Sequence, residues 1–403
     1  MDNVYEAVKI NEYIYWVGAI DWNARDFHGY STNRGTTYNA FLVLADKITL
    51  IDTVKEPFKN EMISRISSII DPGEISNIIS NHSEMDHSGC LPEIIDLVKP
   101  EKVYASRMGV KTLSEHFHNL EDLIAVKDGD SISLGNIDVN FIETKMLHWP
   151  DSMFSYLPAD KLLFSNDAFG MHLASNERYA DEIDDYILKY ESEKYFANIL
   201  LPYSSLVLKL LDKVKSIGLD IDMIMPDHGP IWRTKEDIDK ILNYYALWAE
   251  QKSAKKAVIL FDTMWDSTEK MAHVISEGLI DNNIEVHLLQ MKTTHRSDAV
   301  KEILECGALI VGSSTLNNNL LPSMADVMTY IKGLRPQNLI GASFGSYGWS
   351  GEAVGILGNI LKDMGVEIVD ESIKAQYVPN VDDLARCFNL GKTIAEKLNS
   401  KSK

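Results

Sequence analysis

At 403 residues with 45% apolar side chains, the chain is long enough for two or three domains with separate cores. No apolar run approaches the roughly 20 residues that cross a bilayer, and Met1-Asp2-Asn3-Val4-Tyr5-Glu6 has neither the basic segment nor the apolar core of a secretory signal. Membrane and secreted classes are therefore excluded, and a cytoplasmic address is expected. The 59 acidic against 39 basic residues give a net charge of -20, which would repel a phosphate backbone and excludes nucleic acid as a partner. Cutting after Lys252 leaves 24 basic and 41 acidic residues before the cut, a charge of -17, and 15 and 18 after it, a charge of -3. The acidic excess sits where it would favour a cation. Three widely spaced cysteines, Cys90, Cys306 and Cys387, form no disulfide framework and no Cys-x-x-Cys metal knuckle; they read as small buried residues in a reducing compartment.

In chain order, β-rich runs at residues 39–44 and 48–52, three residues apart, have hairpin spacing. Helical patterning follows over 58–70, then a strand over 75–80, a polar loop over 81–89 and a helix from Leu91. Further strands are expected over 137–144 and 161–166. Such a mixture of hairpin-linked strands and helices points to a mixed α/β sandwich over the first 250 residues or so. An amphipathic, aromatic-rich helix spans 234–252, and Gln251-Lys252-Ser253-Ala254-Lys255-Lys256 reads as a polar hinge, placing the boundary between domains 1–252 and 253–403. Beyond it, continuous apolar strands at 257–261, 308–311 and 339–342, each followed by a polar loop and a helical stretch, have the rhythm of a doubly wound parallel sheet.

The densest chemistry is Asn81-His82-Ser83-Glu84-Met85-Asp86-His87-Ser88-Gly89, with two imidazoles and two carboxylates in six residues directly after a strand. His148 in Leu147-His148-Trp149-Pro150, Asp167 at the end of a strand, and His228 in Pro226-Asp227-His228-Gly229 also follow apolar strands, so loops at one sheet edge can converge. Their order resembles the metallo-β-lactamase fold, whose loop reads His-x-His-x-Asp-His and binds zinc. Glu84 stands here in place of the second histidine, and a hard carboxylate oxygen shifts the preference toward iron. A dinuclear non-haem iron site is predicted, with His82, Glu84 and His148 on one ion, Asp86, His87 and His228 on the other, and Asp167 bridging.

After the hinge, Asp262-Thr263-Met264-Trp265-Asp266-Ser267-Thr268 ends a strand and opens a helix, gathering the hydroxyls of Thr263, Ser267 and Thr268 where backbone amides and the helix dipole favour a phosphate. It has neither the lysine of a triphosphate P-loop nor the glycines of a dinucleotide fingerprint, so a monophosphate fits best. Two further strand ends supply Ser314, Thr315, Asn317 and Asn318, and then Ser346, Tyr347, Gly348, Trp349 and Gly351. Glycines for close approach, amides for a polar ring and the flat walls of Trp265 and Trp349 together suit flavin mononucleotide (FMN).

A lactamase-like iron domain followed by a flavodoxin-like domain resembles the flavodiiron proteins, also called A-type flavoproteins, over nearly the whole chain. Its wording is nearest to the rubredoxin:oxygen oxidoreductase and methanogen deazaflavin-dependent oxidase branches, in Ala19-Ile20-Asp21-Trp22-Asn23, Asp26-Phe27-His28-Gly29-Tyr30, His148-Trp149-Pro150-Asp151-Ser152-Met153 and residues 345–352. The resemblance implies an N-terminal metallo-β-lactamase-like αββα sandwich, a C-terminal flavodoxin-like sheet, two irons and FMN. It also implies reduction of dioxygen to water, or of nitric oxide to nitrous oxide, in an anaerobe, and a head-to-tail homodimer or a dimer of dimers. Two ferrous ions and a reduced flavin hold four electrons, the number dioxygen needs. His28 and Tyr195 are expected to orient or protonate the bound gas. The chain carries no cysteine-rich rubredoxin module, so an external donor, rubredoxin or reduced deazaflavin coenzyme, is expected. Two other readings compete: a lactamase-fold hydrolase or nuclease with an appended flavodoxin, and an electron carrier using only the flavin.

Overall fold

The computed structural model describes residues 4–369 and 372–401. These divide into two compact units: residues 4–28, Thr32–Tyr195 and Ser205–Ala246 form the first, and Gly29–Ser31, Phe196–Ser204 and the described residues from Leu247 onward the second.

The first unit is built on two sheets. Seven strands run in the order Val8–Lys9, Ile14–Trp16, Phe41–Val43, Thr49–Ile51, Asn77–Ser80, Lys102–Ser106 and Leu123–Val126; pairing is antiparallel up to Thr49–Ile51 and parallel beyond it. Five more run Ser131–Ser133, Asp138–Glu143, Met153–Leu157, Leu162–Phe164 and Met223–Met225, with only the last pair parallel. Alternate residues of the first sheet, Trp16, Phe41, Val43, Ile51 and Ile79, share a core with Val139, Phe141, Met153, Leu157 and Phe164 of the second. The opposite side chains, Leu42, Leu50, Ile78 and Ala105, pack on Met62, Ile66, Leu91 and Ile94 from helices Lys59–Ser67 and Leu91–Val98. The period of two along each strand thus supplies two cores, and a metallo-β-lactamase-like sandwich follows.

The hairpin expected over 39–52 is present, antiparallel with Phe41 opposite Ile51. The segment 81–89 is not wholly loop. Ser88 Oγ donates to the carbonyls of Ser83 (2.8 Å) and Glu84 (2.9 Å), and a one-turn helix, Met85–Ser88, carries Asp86 and His87. The short run hid this turn from periodicity, which needs several turns to register.

Asn39 is the hidden brace of this unit. Its Nδ2 donates to the carbonyls of Pro226 (2.7 Å) and Gly229 (2.9 Å), bracketing His228, while its Oδ1 accepts from Trp16 Nε1 (2.8 Å). All of it is buried. Asn39→Ala strands three buried polar groups, so a loss of about 2–4 kcal/mol of unfolding free energy is expected, measurable by urea denaturation, together with weaker metal retention.

The second unit is a parallel sheet in the order Glu285–Gln290, Lys256–Asp262, Ala308–Ser313, Ile340–Tyr347 and Glu367–Ile368, with Ile373–Gln376 paired further along Ile340–Tyr347. Ile259, Ile310, Ala342 and Phe344 form its core with Met271, Ile275 and Leu279 of helix Ser267–Ile280 and Leu390, Ile394 and Leu398 of helix Val381–Lys401. This is a flavodoxin-like sheet. The order turns back between Lys256–Asp262 and Ala308–Ser313, the switch point at which such sheets open a crevice.

Cys90, Cys306 and Cys387 are free and buried. Burial raises all three thiols, Cys306 and Cys387 to about 12. Among the described residues no helix is long and apolar enough to cross a membrane.

Candidate diiron centre and flavin cradle

Two clusters of ligand atoms meet at one edge of the first unit. His82, Glu84, His148 and Asp167 form one, and Asp86, His87 and His228 the other. In the first, Asp167 Oδ2 lies 3.0 Å from His148 Nε2 and 3.3 Å from His82 Nε2, and Glu84 Oε2 lies 3.2 and 3.3 Å from the same nitrogens. In the second, His228 Nε2 is 3.2 Å from Asp86 Oδ2, and Asp167 Oδ1 is 3.2 Å from His87 Nε2 and 3.4 Å from His228 Nε2. One carboxylate therefore offers an oxygen to each cluster. Asn166 sets it there: in the left-handed region at φ 44°, it accepts from Asp167 N and donates Nδ2 to Met153 O (2.7 Å). All seven side chains the sequence singled out as metal ligands are in these clusters.

The donor set fits a pair of cations. Both oxygens of Asp86, Oδ1 of Asp167 and Nε2 of His87 are buried yet make no hydrogen bond, although they lie close to one another. Polar atoms left so are costly unless something else engages them. Four imidazoles and three carboxylates make a mixed hard and intermediate shell that suits iron.

The electrostatics describe what protons do when no ion is bound. Burial disfavours the imidazolium of His87, but Asp86 and Asp167 outweigh it and raise the ring to about 10; His148 likewise rises to about 8 against its own burial through Asp167 and Glu84. For Asp167, burial opposes the carboxylate, but His87, His148 and His82 hold it well below the ordinary range. A histidine raised above its unfolded value of about 6.5 stabilises the fold fully below that value and ceases to do so as pH climbs through the folded value. The thermal midpoint of iron-free protein should thus fall between about pH 6.5 and 10, whereas iron-loaded protein should show no such decline. Calorimetry with and without chelator checks this.

One carboxylate and one backbone carbonyl hold two of the rings, and two further buried acids lie behind them. Asp151 Oδ2 lies 3.2 Å from His82 Nδ1 and accepts from Ser83 N (2.6 Å) and Ser83 Oγ (2.7 Å). His228 Nδ1 donates to Thr37 O (2.6 Å). Asp227 Oδ2 is 3.7 Å from His87 Nδ1, and Asp52 holds Asn81 through N (2.7 Å) and Nδ2 (2.8 Å). Burial raises Asp52 to about 6 and Asp227 well above the ordinary carboxylate range. Sequence reasoning missed Asp52, Asp151 and Asp227 as supports. The signal was the habit of ligating imidazoles to donate their far N–H to a carboxylate or carbonyl, with Asp227 directly beside a candidate ligand.

His28 Nε2 lies 3.1 Å from Glu84 Oε1, although most of its side chain is solvent-exposed (74%). Tyr195 is buried, its ring 5.2 Å from His172 and 6.3 Å from His228, and burial first, then Asp167, raise its phenol well above the ordinary value. It stays a proton donor at any physiological pH.

In the second unit, a cavity of about 430 Å³ opens at the switch point, lined by Met264, Trp265, Ser267, Ser314, Thr315, Asn317, Asn318, Ser346, Tyr347, Gly348, Trp349, Ser350 and Tyr377. Trp265 and Trp349 are 86% exposed and Met264 46%, so none of them is core. Thr263, Thr268 and Gly351 do not line it. Thr268 is fully buried behind the wall, its Oγ1 2.9 Å from both Ser314 Oγ and Ser346 Oγ, tying three strand ends together. Thr263 Oγ1 is buried without a hydrogen-bond partner, as a hydroxyl waiting for an acceptor would be. Gly351 caps helix Glu352–Asp363 at φ 82°, where a Cβ would meet Tyr347 Cγ at 3.0 Å. Ser350 and Tyr377 were not foreseen; Tyr377 arrives from beyond a separate strand, its N donating to Tyr347 O (2.7 Å).

Comparison with known proteins fits both halves. The ODP family beta lactamase model matches residues 36–229 and the flavodoxin model residues 259–391. A nitric oxide reductase of Moorella thermoacetica is 45% identical over 98% of this chain and 99% of its own. The rubredoxin oxygen:oxidoreductase structure from Desulfovibrio gigas superposes with a TM-score of 0.97 at 44% identity, covering 98% of this chain and all of that one. The flavodiiron protein structure from Giardia intestinalis gives 0.93 at 29%, covering 98% and 97%. The chain belongs to the flavodiiron proteins. As a flavodiiron protein it is an oxidoreductase whose cofactors are FMN and a diiron centre. Glu84, where zinc-binding lactamases have histidine, stands in the first of the two clusters of ligand atoms.

Proposed function

We propose that this flavodiiron protein reduces dioxygen to water in the cytoplasm of an anaerobe, as a homodimer, with electrons entering through FMN from rubredoxin or a reduced deazaflavin coenzyme. The observation that carries the reading is Asp167, whose two oxygens serve two clusters of ligand atoms at once. When bound, the irons supply open positions for a diatomic gas, and the irons and flavin together supply the electrons.

The chain's own residues have separable tasks. His82, Glu84 and His148 would hold one iron and Asp86, His87 and His228 the other, with Asp167 spanning both. Asp151 and Thr37 O fix the ring orientation of His82 and His228. His28, at the exposed rim beside Glu84, can pass a proton inward, and Tyr195, held protonated by burial, offers a hydrogen bond from beside His172 and His228. The cavity between Trp265 and Trp349 would take the isoalloxazine ring, with the hydroxyls at the start of helix Ser267–Ile280 on the phosphate. We place the domain boundary after Lys252.

Reduction of nitric oxide to nitrous oxide is the second reading, favoured by the name of the Moorella relative. One experiment separates them: iron and FMN content of the purified protein, its sedimentation, and anaerobic turnover against each gas with rubredoxin and reduced deazaflavin in parallel. Two irons and one FMN per chain in a dimer with faster dioxygen turnover is the expected result. Preference for nitric oxide would transfer the assignment to the second reading, and zinc without gas turnover would return the protein to the hydrolases.

A further inference from the structure

His28 and Gly29 both adopt left-handed backbone, φ 53° and 84°, making a tight two-residue turn between strands Asp26–Phe27 and Tyr30–Ser31. The imidazole at its tip is mostly in solvent, meets the Phe27 ring at a centroid distance of 4.4 Å, and is carried to its place beside Glu84 by the backbone of the turn. That backbone is gripped from the chain's far half. Arg296 Nε donates to Gly29 O (3.1 Å), and Ser297 Oγ accepts from Ser31 N (3.1 Å) and lies 2.9 Å from Ser31 Oγ. Both residues open helix Arg296–Leu304.

The hydrogen bonds around Ser297 form one consistent set. The capping residue His295 accepts at Nδ1 from Ser297 N (3.2 Å) and from Ser297 Oγ (2.7 Å), which commits the only hydrogen of that hydroxyl. Ser297 Oγ is then free only to accept, and Ser31 supplies both donors. Arg296 is steadied in turn by Asp326 at Nη1 and by the Tyr330 ring, 5.5 Å from the guanidinium. A Cβ on Gly29 would come within 2.8 Å of Arg296 Nη2, so the turn and the guanidinium fit closely.

The same helix start holds a second segment. Asn198 Nδ2 donates to Ser297 O (3.1 Å) and its Oδ1 accepts from Tyr330 OH (2.9 Å). Asn198 lies in the π-helical stretch Phe196–Leu200 that begins directly after Tyr195. The segments grouped with the second unit start at Gly29 and at Phe196, one residue beyond His28 and one beyond Tyr195.

We propose that Arg296 and Ser297 are positioning residues for gas reduction: they fix the backbone that follows His28 and Tyr195 and so set where those two side chains stand. The proposal rests on the roles given to His28 and Tyr195 above. The test is a double-mutant cycle on the holoenzyme, with Ser297→Ala and Arg296→Ala each made alone and with His28→Ala. Iron, FMN and thermal midpoint are measured beside kcat, KM and backbone hydrogen exchange over residues 26–32 and 196–200. Each single change should lower kcat about tenfold with KM, iron and FMN unchanged, and speed exchange in the His28 turn by about as much. In the His28→Ala background the further loss should shrink to about threefold or less, the remainder acting through Tyr195. A full-sized loss persisting in that background, or unaltered exchange, overturns the proposal while leaving the role of His28 intact. Wild-type turnover of His28→Ala alone removes that role, and the proposal with it. Should Arg296→Ala fail to fold, Ser297→Ala, which deletes a single oxygen, carries the test.

Discussion

Replacing Asp167 with alanine is expected to lower gas turnover at least about a hundredfold while leaving FMN content whole. Its carboxylate reaches both ligand clusters: Oδ2 faces His148 and His82, Oδ1 faces His87 and His228. Its loss leaves four imidazoles around a gap with only Glu84 and Asp86 to offset two divalent ions. One ion or both should be lost, and the buried rings should turn to protons instead. His148→Ala is expected to act in the same direction through a single cluster, retaining more iron. Metal analysis, flavin absorbance and turnover read the three effects separately. Full turnover with two irons in either variant would refute the ligand assignment.

Thr268→Val should do the reverse, weakening FMN binding about 10–100-fold with iron content unchanged, since the swap keeps shape and deletes a hydroxyl placed among three strand ends. Thr268 does not touch the cavity. Its Oγ1 sits 2.9 Å from Ser314 Oγ and Ser346 Oγ, both of which line it, so removal loosens two walls together. Fluorescence titration of deflavinated protein with FMN measures the change. Normal flavin affinity would show that the hydroxyl triangle is merely structural.

Much of this was legible because the chemistry is concentrated. Two histidines and two acids within six residues can hardly be a solvated turn, and strand ends rich in hydroxyls and glycines mark the crevice of a parallel sheet without further help. What stayed hidden depends on distance in sequence. Asp151 reaches His82 across 69 residues, and Asn39 braces the His228 loop across about 190. Neither leaves a periodic trace. The one-turn helix under Asp86 and His87 was too short to register as a period, and Tyr377 joins the cradle only because Ile373–Gln376 pairs with Ile340–Tyr347. Thr268, placed by its motif among the phosphate hydroxyls, has its oxygen against Ser314 and Ser346; local sequence gives the residue's neighbourhood but not which way its oxygen faces.

The three cysteines have a bearing on durability. A thiol is oxidised as its thiolate, and these are buried, with Cys306 and Cys387 raised to about 12, so almost none is ionised at neutral pH. Stray peroxide generated beside the flavin would find no sulfenic acid to form. Exposed thioethers are the softer targets: Met264, 46% exposed on the cradle wall, and Met85, 48% exposed between Glu84 and Asp86. Peptide mapping of enzyme aged by turnover should therefore show sulfoxide at Met264 and Met85 while all three cysteines remain intact, so that methionines and not thiols record incomplete reduction of the gas.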